Sequence, residues 1–438
     1  MKPRILILIA ALICIGFLTP TPAASATNRY IVVSNGGLTS VLNLCNLLGC
    51  QVQGSLDGNI GQTFLVTSNN LLSPVISLVE SLLGIVSIEA DRLLPIPQIK
   101  LASTPSGLYD MSPVNFYGTV AWQGYALQPA AQIIHAADAR AGYGVTGSGV
   151  LVADIDTGVD PNHPVLQPVL LQGYDFTRNQ PGASEWLDVS QLQSGMVDTD
   201  TQDQAPVEVQ QSTAAVLDQS TAAVLDGSPY VAFGHGTMTA GLIHLVAPKA
   251  RILPLKAFSA NGTGYVSNIV AALYFAIQNK ANVVNMSFDL STPSSALSKA
   301  VASANRAGLI LVASAGNEDT SNAVYPAALK GNVIGIASTS NSDTRSSFSN
   351  YGSTDVWIAA PGESVVSTYP GGTYGSSSGT SFSSPLVTGS AALLMSAKSG
   401  LSQSNAASAL SHAQVLTSDL NHGRLNVAWA VSAWLNSW

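Results

Sequence analysis

The sequence predicts an α/β fold with a mostly parallel central sheet and helices on both faces, preceded by a small α+β domain. From residue 149 onward, short apolar runs alternate with segments of helical spacing. That alternation is typical of a parallel sheet whose two faces are covered by helices. Residues 27–95 carry a shorter set of strand and helix patterns of their own, and a proline-rich stretch follows them. Two folded units joined by a linker are therefore expected.

Composition excludes several classes of protein. The 438 residues give room for two or three compact domains. With 46% apolar and only 10% charged residues, the chain is no disordered polyelectrolyte. Its 17 basic against 25 acidic residues, a net charge of −8, disfavour nucleic acid as a partner. Three cysteines exclude a disulfide scaffold; Cys45 and Cys50 either close a small loop or stay as buried thiols.

The N-terminus has the pattern of a secretory signal peptide over residues 1–26. Lys2 and Arg4 precede an apolar stretch at 5–18, and Ala-Ser-Ala at 24–26 offers a cleavage site. An uncleaved anchor is the alternative, although the apolar stretch is short for a membrane span. No later segment has 18 uninterrupted apolar residues. We therefore expect a secreted protein that has no membrane association after cleavage.

Residues 27–95 are predicted to form the small domain. Strands are expected at 29–33, 62–66 and 85–89, and helices at 38–48 and 72–83, with Gly84 as the C-cap of the second helix. Several prolines then mark a linker over residues 96–118. A compact unit on such a tether suits a pro-segment that is removed at a site within about 92–118. A permanent accessory domain is the alternative.

Residues 119–438 are predicted to form the large domain. Its sheet strands are expected at 150–153, 250–255, 282–287, 309–313 and 333–337, with helices at 268–278 and 295–307. Ligands of such folds bind beyond the carboxyl ends of the strands, so the residues that follow each strand are expected to carry the chemistry.

An octapeptide at residues 211–218 recurs unchanged at 219–226, inside a surface insertion predicted over about 178–230. Two copies are too few for a solenoid. The acidic residues of the insertion are Glu185, Asp188, Asp198, Asp200, Asp203 and Glu208. They are expected to form a solvated face, and a calcium site is the alternative.

Four polar residues lie where strands end or helices begin. Asp156 ends an apolar strand, His235 opens a helical run, and Asn317 follows another strand. Ser381 comes just before a run of small and apolar residues. These types match the needs of acyl transfer: a serine nucleophile, a histidine base, a carboxylate that orients the histidine, and an amide donor for the oxyanion.

The motifs around these residues resemble those of the subtilisin-like serine proteases, the subtilases. The resemblance rests on Asp-Ile-Asp-Thr-Gly at 154–158, Gly-His-Gly-Thr at 234–237 and Gly-Thr-Ser-Phe-Ser-Ser-Pro at 379–385, and it extends over about residues 28–432. It implies a catalytic triad of Asp156, His235 and Ser381, with Asn317 as the oxyanion donor. The order Asp, His, Ser is that of subtilisins.

The resemblance carries further expectations about partners and cofactors. It implies polypeptide substrates, and it implies that residues 27–95 are an inhibitory propeptide that assists folding. We expect a zymogen that processes itself and acts as a monomer. No cofactor is expected, because the segment between Gly241 and Val246 is too short for the calcium-binding loop of bacterial subtilisins.

The family's substrate-binding stretches correspond to two short segments of this chain, namely Ser287, Phe288, Asp289 and Ser314, Ala315, Gly316. Asp289 stands where the family has a glycine. Its carboxylate is expected either to narrow the groove or to favour basic side chains.

Three alternatives remain open at this point. Asp154 lies on the same face of its strand as Asp156 and is a second candidate for the triad acid. An exported pseudoprotease that only holds peptides is the rival function from a different class. An esterase that uses the same triad is the third reading.

Overall fold

The computed structural model describes residues 28–69, 83–95, 110–193 and 230–437. The predicted signal peptide, most of the predicted helix at 72–83, residues 96–109 of the linker and the duplicated octapeptide lie outside these ranges. So do the insertion acids Asp198, Asp200, Asp203 and Glu208. In the part of the chain that is described, no helix is long and apolar enough to cross a membrane.

The N-terminal unit is an antiparallel sheet covered by a helix. Its four strands are β1 (Asn28–Ser34), β2 (Cys50–Ser55), β3 (Thr63–Ser68) and β4 (Ile85–Ala90), in the order β2-β3-β1-β4. Helix α1 (Gly37–Leu48) packs Val41 and Leu44 on this sheet. The predicted strands and first helix agree with these bounds to within two residues. A disulfide joins Cys45 to Cys50, which resolves the choice that the sequence left open.

The large domain is built on an eight-stranded sheet in the order β10-β9-β11-β8-β13-β14-β15-β16. Neighbouring strands of this sheet run parallel, except that β9 (Tyr174–Asp175) and the edge strand β10 (Gln180–Pro181) are antiparallel to each other. The remaining strands are β8 (Leu151–Asp156), β11 (Arg251–Lys256), β13 (Val283–Met286), β14 (Ile310–Ser314), β15 (Ile334–Thr339) and β16 (Ile358–Pro361). The predicted mostly parallel sheet is confirmed.

Helices cover both faces of the sheet. On one face, α6 (His235–Val246) and α9 (Thr380–Ala397) bury residues such as Met238 and Leu386. On the other, α7 (Val266–Gln278) and α8 (Ser295–Arg306) bury residues such as Val270 and Val301. Within β8, Val152 joins the first core while its neighbour Ala153 joins the second. Because both faces are buried, the strands are continuous apolar runs.

Short elements complete the domain. They are β5 (Leu93–Pro95), β6 (Pro113–Phe116), β7 (Thr119–Trp122), α2 (Gln123–Ala126), α3 (Pro129–Ile133), α4 (Ala136–Tyr143), α5 (Trp186–Gln193), β12 (Thr263–Tyr265), β17 (Val365–Tyr369), β18 (Thr373–Ser377), α10 (Gln403–Leu410) and α11 (Val427–Leu435). The hairpin β6–β7 buries Phe116 against Tyr125 of the large domain. Residues 113–118, which lie in the predicted linker, form the first strand and the turn of this hairpin and pack on the large domain.

The N-terminal unit docks on two helix starts of the large domain. Asp91 accepts hydrogen bonds from the backbone N–H of Ser267 (2.9 Å) and from its hydroxyl (2.8 Å), at the first turn of α7. Glu89 accepts from the backbone N–H of Ser295 (2.8 Å), the first residue of α8. Each carboxylate meets the positive end of a helix and satisfies N–H groups that have no partner within the helix. Beside them, β5 pairs antiparallel with β12.

Candidate active site

Asp156 and His235 are brought together by the sheet edge and a helix start. Asp156 is the last residue of β8, and His235 is the first residue of α6. The Nδ1 of His235 lies 2.7 Å from Oδ1 of Asp156, and both side chains are buried. The contact requires a glycine after the histidine, because a Cβ on Gly236 would lie 2.0 Å from the carbonyl oxygen of Gly158.

The electrostatic surroundings of His235 favour its protonated form. Burial alone would lower the pKa of the imidazole, but the charge and hydrogen bond of Asp156 outweigh this effect. Glu185 and Asp154 add smaller contributions of the same sign, so the pKa of His235 is raised above its ordinary value. An imidazole in such a site can hold a proton that it takes from a nucleophile.

Asp154 is buried beneath this pair and does not contact the histidine. Its carboxylate is hydrogen-bonded to the hydroxyl of Thr239 and to the amide of Asn285, both at 2.8 Å. Burial and the nearby charge of Asp156 raise the pKa of Asp154 to about 8. A carboxyl that stays protonated at neutral pH is poorly suited to stabilise an imidazolium. The geometry therefore favours Asp156 over Asp154 as the partner of His235.

Ser381 lies in the first turn of α9, and this turn contacts the imidazole of His235 through Phe382. The ring of Phe382, the next residue, lies 5.3 Å from the ring of His235, measured between centroids. The Ser381 hydroxyl donates to the carbonyl oxygen of Ser287 at 3.2 Å. Among the residues described, the Nε2 of His235 has no hydrogen-bond partner. The histidine and aspartate are therefore assembled, while the hydroxyl is bonded to a backbone carbonyl rather than to the imidazole.

Asn317 is held by the same helix start that carries Ser381. Its Oδ1 accepts hydrogen bonds from the backbone N–H of Thr380 (2.8 Å) and from the Thr380 hydroxyl (3.0 Å). These bonds fix the plane of the amide and assign Nδ2 as the donor on its other branch. The side chain lies close to Gly379, since a Cβ at that glycine would be 3.8 Å from Nδ2.

The two predicted substrate-binding stretches lie at the carboxyl ends of neighbouring strands. The first follows β13, and the second begins with Ser314, the last residue of β14. The hydroxyl of Ser287 donates to the carbonyl of Ser381 at 2.9 Å, which couples this stretch to α9. The ring of Phe288 is buried against Phe258, so any contact of Phe288 with a bound chain would be made by its backbone. Ser314 and Ala315 are fully buried as well, and Gly316 follows them with a positive φ.

Asp289 is the acidic residue of these two stretches. Its Oδ2 has no accessible surface and, among the residues described, no hydrogen-bond partner. Burial and the charges of Glu318 and Asp355 raise the pKa of Asp289 to about 7. A partly buried carboxylate in such surroundings gains from a cationic partner.

Two acids of the predicted solvated insertion are in fact buried, so that prediction was wrong for them. Glu185 is completely buried next to the start of α6. Asp188, on α5, pairs with Lys256, which is itself completely buried at the end of β11. Lys256, a lysine inside an apolar strand, indicates from the sequence that a buried acid is needed, but not which acid supplies the charge.

Within the described residues, no group of three or more His, Cys, Asp or Glu side chains is placed to hold a metal ion. His163 is buried, with Nε2 2.9 Å from the carbonyl of Thr373, and burial lowers its pKa. Burial also lowers the pKa of His244 to about 3. Neither contacts the Asp156–His235 pair.

Comparison with known proteins agrees with this geometry. The model of the subtilase family matches residues 147–427. The chain belongs to the subtilase family. The predicted resemblance and fold are thus confirmed, and this subtilase is a serine-type endopeptidase, a hydrolase of peptide bonds.

Similar proteins include subtilisins and a thermophilic relative. Subtilisin BL of Lederbergia lenta is 34% identical over 260 residues, which is 57% of this chain and 78% of that protein. Thermitase of Thermoactinomyces vulgaris is 34% identical over 274 residues, covering 60% of this chain and 80% of thermitase. The crystal structure of a cold-adapted subtilisin-like serine proteinase is also similar, with 29% sequence identity and a TM-score of 0.50. The match covers 64% of this chain and 88% of the proteinase chain.

Proposed function

We propose that this subtilase cleaves peptide bonds through an acyl-enzyme formed on Ser381, with His235 as the base, Asp156 as the residue that orients it, and Asn317 as an oxyanion donor. The observation that carries the proposal is the 2.7 Å contact between Asp156 and His235, with Nε2 of the same imidazole unbonded beside the helix start that holds Ser381.

The first half-reaction transfers one proton. When substrate binds, the Ser381 hydroxyl turns from the carbonyl of Ser287 to Nε2 of His235. As its oxygen bonds to the scissile carbonyl carbon, its proton passes to Nε2, and the ion pair with Asp156 stabilises the imidazolium. The negative charge on the carbonyl oxygen is met by Nδ2 of Asn317 and by the backbone N–H of Ser381 at the start of α9.

Breakage of the peptide bond completes the first half-reaction and leads to the second. His235 gives its proton to the leaving amine, the carbon–nitrogen bond breaks, and the acyl-enzyme is left. Water then attacks the acyl-enzyme while His235 takes a proton from it, and Ser381 leaves with its hydrogen restored.

Replacing the proposed nucleophile tests this assignment. Ser381→Ala should abolish peptide hydrolysis. The matched control is Ser383→Ala, since Ser383 is a buried serine on the same helix, and its hydroxyl makes no hydrogen bond within the described residues. A Ser381→Ala protein that cleaves peptides at the wild-type rate would refute the mechanism.

We propose further that residues 27–95 are an inhibitory propeptide of a secreted zymogen. The carboxylates of Glu89 and Asp91 at two helix starts, and the pairing of β5 with β12, support a unit that docks on the large domain as an inhibitor would. Ile31, Val33 and Leu94 add a buried apolar contact to these polar ones. A cut inside the hairpin β6–β7 would sever a packed element, so we place the cleavage between Pro95 and Pro113.

Expression of the full precursor tests export and processing together. The exported protein should lack residues 1–26, and the mature enzyme should begin between residues 96 and 113. Ser381→Ala should accumulate as the unprocessed form. A mature N-terminus within or beyond the hairpin β6–β7, or processing of Ser381→Ala in a host without other proteases, would contradict the zymogen proposal.

For specificity, we propose that Asp289 favours a basic side chain next to the cleaved bond. Its buried, unpartnered carboxylate oxygen supports this choice over a merely narrowed groove. The test compares kcat/KM for two peptides that differ only in having Lys or Phe before the cleaved bond. Asp289→Asn should lower the Lys-to-Phe ratio at least about tenfold. An unchanged ratio would favour the steric role.

A further inference from the structure

Glu185 is a buried acid that lies outside the three family motifs yet contacts two of them. It is completely buried just before α5. Its Oε2 accepts a hydrogen bond from the hydroxyl of Thr237 at 2.7 Å. Its Oε1 accepts from the backbone N–H of Gly236 at 3.1 Å and from the hydroxyl of Thr157. Both carboxylate oxygens are therefore occupied by donors from the walls of the active site.

These donors flank the two residues of the charge pair. Thr157 follows Asp156, and its backbone N–H donates to Oδ1 of Asp156 at 2.6 Å. Gly236 and Thr237 follow His235 in the first turn of α6. Glu185 thus ties the end of β8 to the start of α6, and it does so where the positive end of the α6 dipole favours an anion.

The charge of Glu185 also reaches the imidazole. Three acids face His235: Asp154 and Asp156 from β8, and Glu185 from the segment before α5. Burial raises the pKa of Glu185 to about 6, although the Thr157 and Thr237 hydroxyls and the cation of Lys256 oppose this rise. Above that pH the side chain is an anion that favours the protonated form of His235.

We propose that Glu185 is a positioning residue that fixes the first turn of α6, so that the imidazole of His235 faces Asp156, and that its charge stabilises the imidazolium formed when Ser381 loses its proton. The role rests on the proposed function. Glu185 exchanges no proton in the step: the proton of Ser381 passes to Nε2 of His235 as the carbon–oxygen bond forms, and later to the leaving amine.

The first test measures the imidazole without using activity. In full-length Ser381→Ala protein, the titration midpoint of His235 is followed by NMR, with and without Glu185→Gln. The Gln variant keeps the size of the side chain but removes its charge. The midpoint should fall by about 0.5–1 pH unit. Asp138→Asn, which neutralises an exposed acid, is the control and should leave the midpoint unchanged.

The second test uses the active enzyme. Glu185→Gln should lower kcat about 10- to 100-fold, because loss of alignment between reacting groups costs that much. KM should change little, and the acid limb of the kcat/KM profile should move to lower pH. A residue that only supports the fold would lower thermal stability and leave the acid limb in place.

Each outcome decides the proposal. An unchanged His235 midpoint, or an unchanged acid limb and kcat in Glu185→Gln, overturns it. If Glu185→Gln does not fold, Glu185→Asp is measured instead; it keeps the charge but withdraws the carboxylate by one methylene. Lower kcat with the acid limb retained then supports the positioning role, and wild-type kcat overturns it. A wild-type protein that hydrolyses no peptide refutes the proposed function itself, whereas the NMR midpoint still reports on Glu185.

Discussion

Lys256 offers the sharpest test of how the active-site region is held together. Its ammonium is completely buried and donates to three acceptors at 2.7 Å each, the carbonyls of Thr157 and Phe258 and Oδ2 of Asp188. It therefore anchors the loop that follows Asp156. Lys256→Met keeps a side chain of similar length and removes both the charge and the three hydrogen bonds.

The loss in the free energy of unfolding expected for Lys256→Met follows from these contacts. Removing one partner of a buried ion pair costs about 3–5 kcal/mol, because the other charge stays buried. Arg178 still bonds Asp188 at 2.5 Å, so we take the lower end, about 3 kcal/mol. For a domain of this size, each kcal/mol lowers Tm by about 2–4 °C, which gives a drop of about 6–12 °C.

The dependence on pH adds a second readout. Burial would raise the pKa of Asp188, but Lys256 and Arg178 outweigh burial, so the pKa is lowered. The stability that a lowered pKa confers is present above the unfolded pKa of about 3.9 and is lost as the pH falls through the folded pKa. The loss of stability caused by Lys256→Met should thus be larger at pH 7 than at about pH 2.5, where protonation of Asp188 weakens the ion pair.

The assay is thermal unfolding at one scan rate in the Ser381→Ala background, which prevents self-digestion. Lys249→Met is the matched control, because Lys249 is exposed. A Tm of the Lys256→Met protein within about 2 °C of the parent at pH 7, or an equal drop in Tm at both pH values, would refute the reasoning.

Three further predictions concern the site and the N-terminal unit. Asn317→Ala should lower kcat about 10²–10³-fold with a smaller change in KM, the size of effect seen when an oxyanion donor is removed from a subtilisin; unchanged steady-state kinetics would contradict the oxyanion role. Because the pKa of Asp154 is raised to about 8, its stability contribution is fully present below the unfolded pKa of about 3.9 and is lost as the pH rises from there through the folded pKa. Asp154→Asn should therefore have the Tm of the parent at about pH 4 and a higher Tm than the parent at about pH 9, whereas an unchanged Tm at both pH values would contradict the burial argument. Replacing Glu89 by Gln and Asp91 by Asn together should weaken the binding of the cleaved N-terminal unit to the large domain about 30-fold, at roughly 1 kcal/mol for each helix cap. Size-exclusion chromatography after self-processing shows whether the two parts stay together, and unchanged binding would contradict this prediction.

The sequence was sufficient to predict the parallel centre of the sheet because these strands are buried on both faces, whereas β9, β10 and β16 were not predicted. Strands buried in this way are uninterrupted apolar runs; for that reason β14 was placed to within one residue, although β8 extends three residues beyond its predicted end. The contact between Asp156 and His235 could also be anticipated, since one ends a strand and the other begins a helix beside it.

The insertion could not be predicted in the same way. Its acids were assigned to solvent on composition alone, yet Glu185 and Asp188 are buried by contacts with Thr237 and Lys256, which are distant in sequence. Local pattern carries no information about such partners. The bond from the Ser381 hydroxyl to a backbone carbonyl is likewise a detail of packing that no motif encodes.

The rate at which a fluorophosphonate labels the enzyme tests most directly whether His235 activates Ser381. We predict a single adduct on Ser381, formed at a rate that rises as His235 loses its proton. In His235→Ala the rate should fall by about a thousandfold or more. An adduct on another residue, or labelling of His235→Ala as fast as of the wild type, would contradict the account.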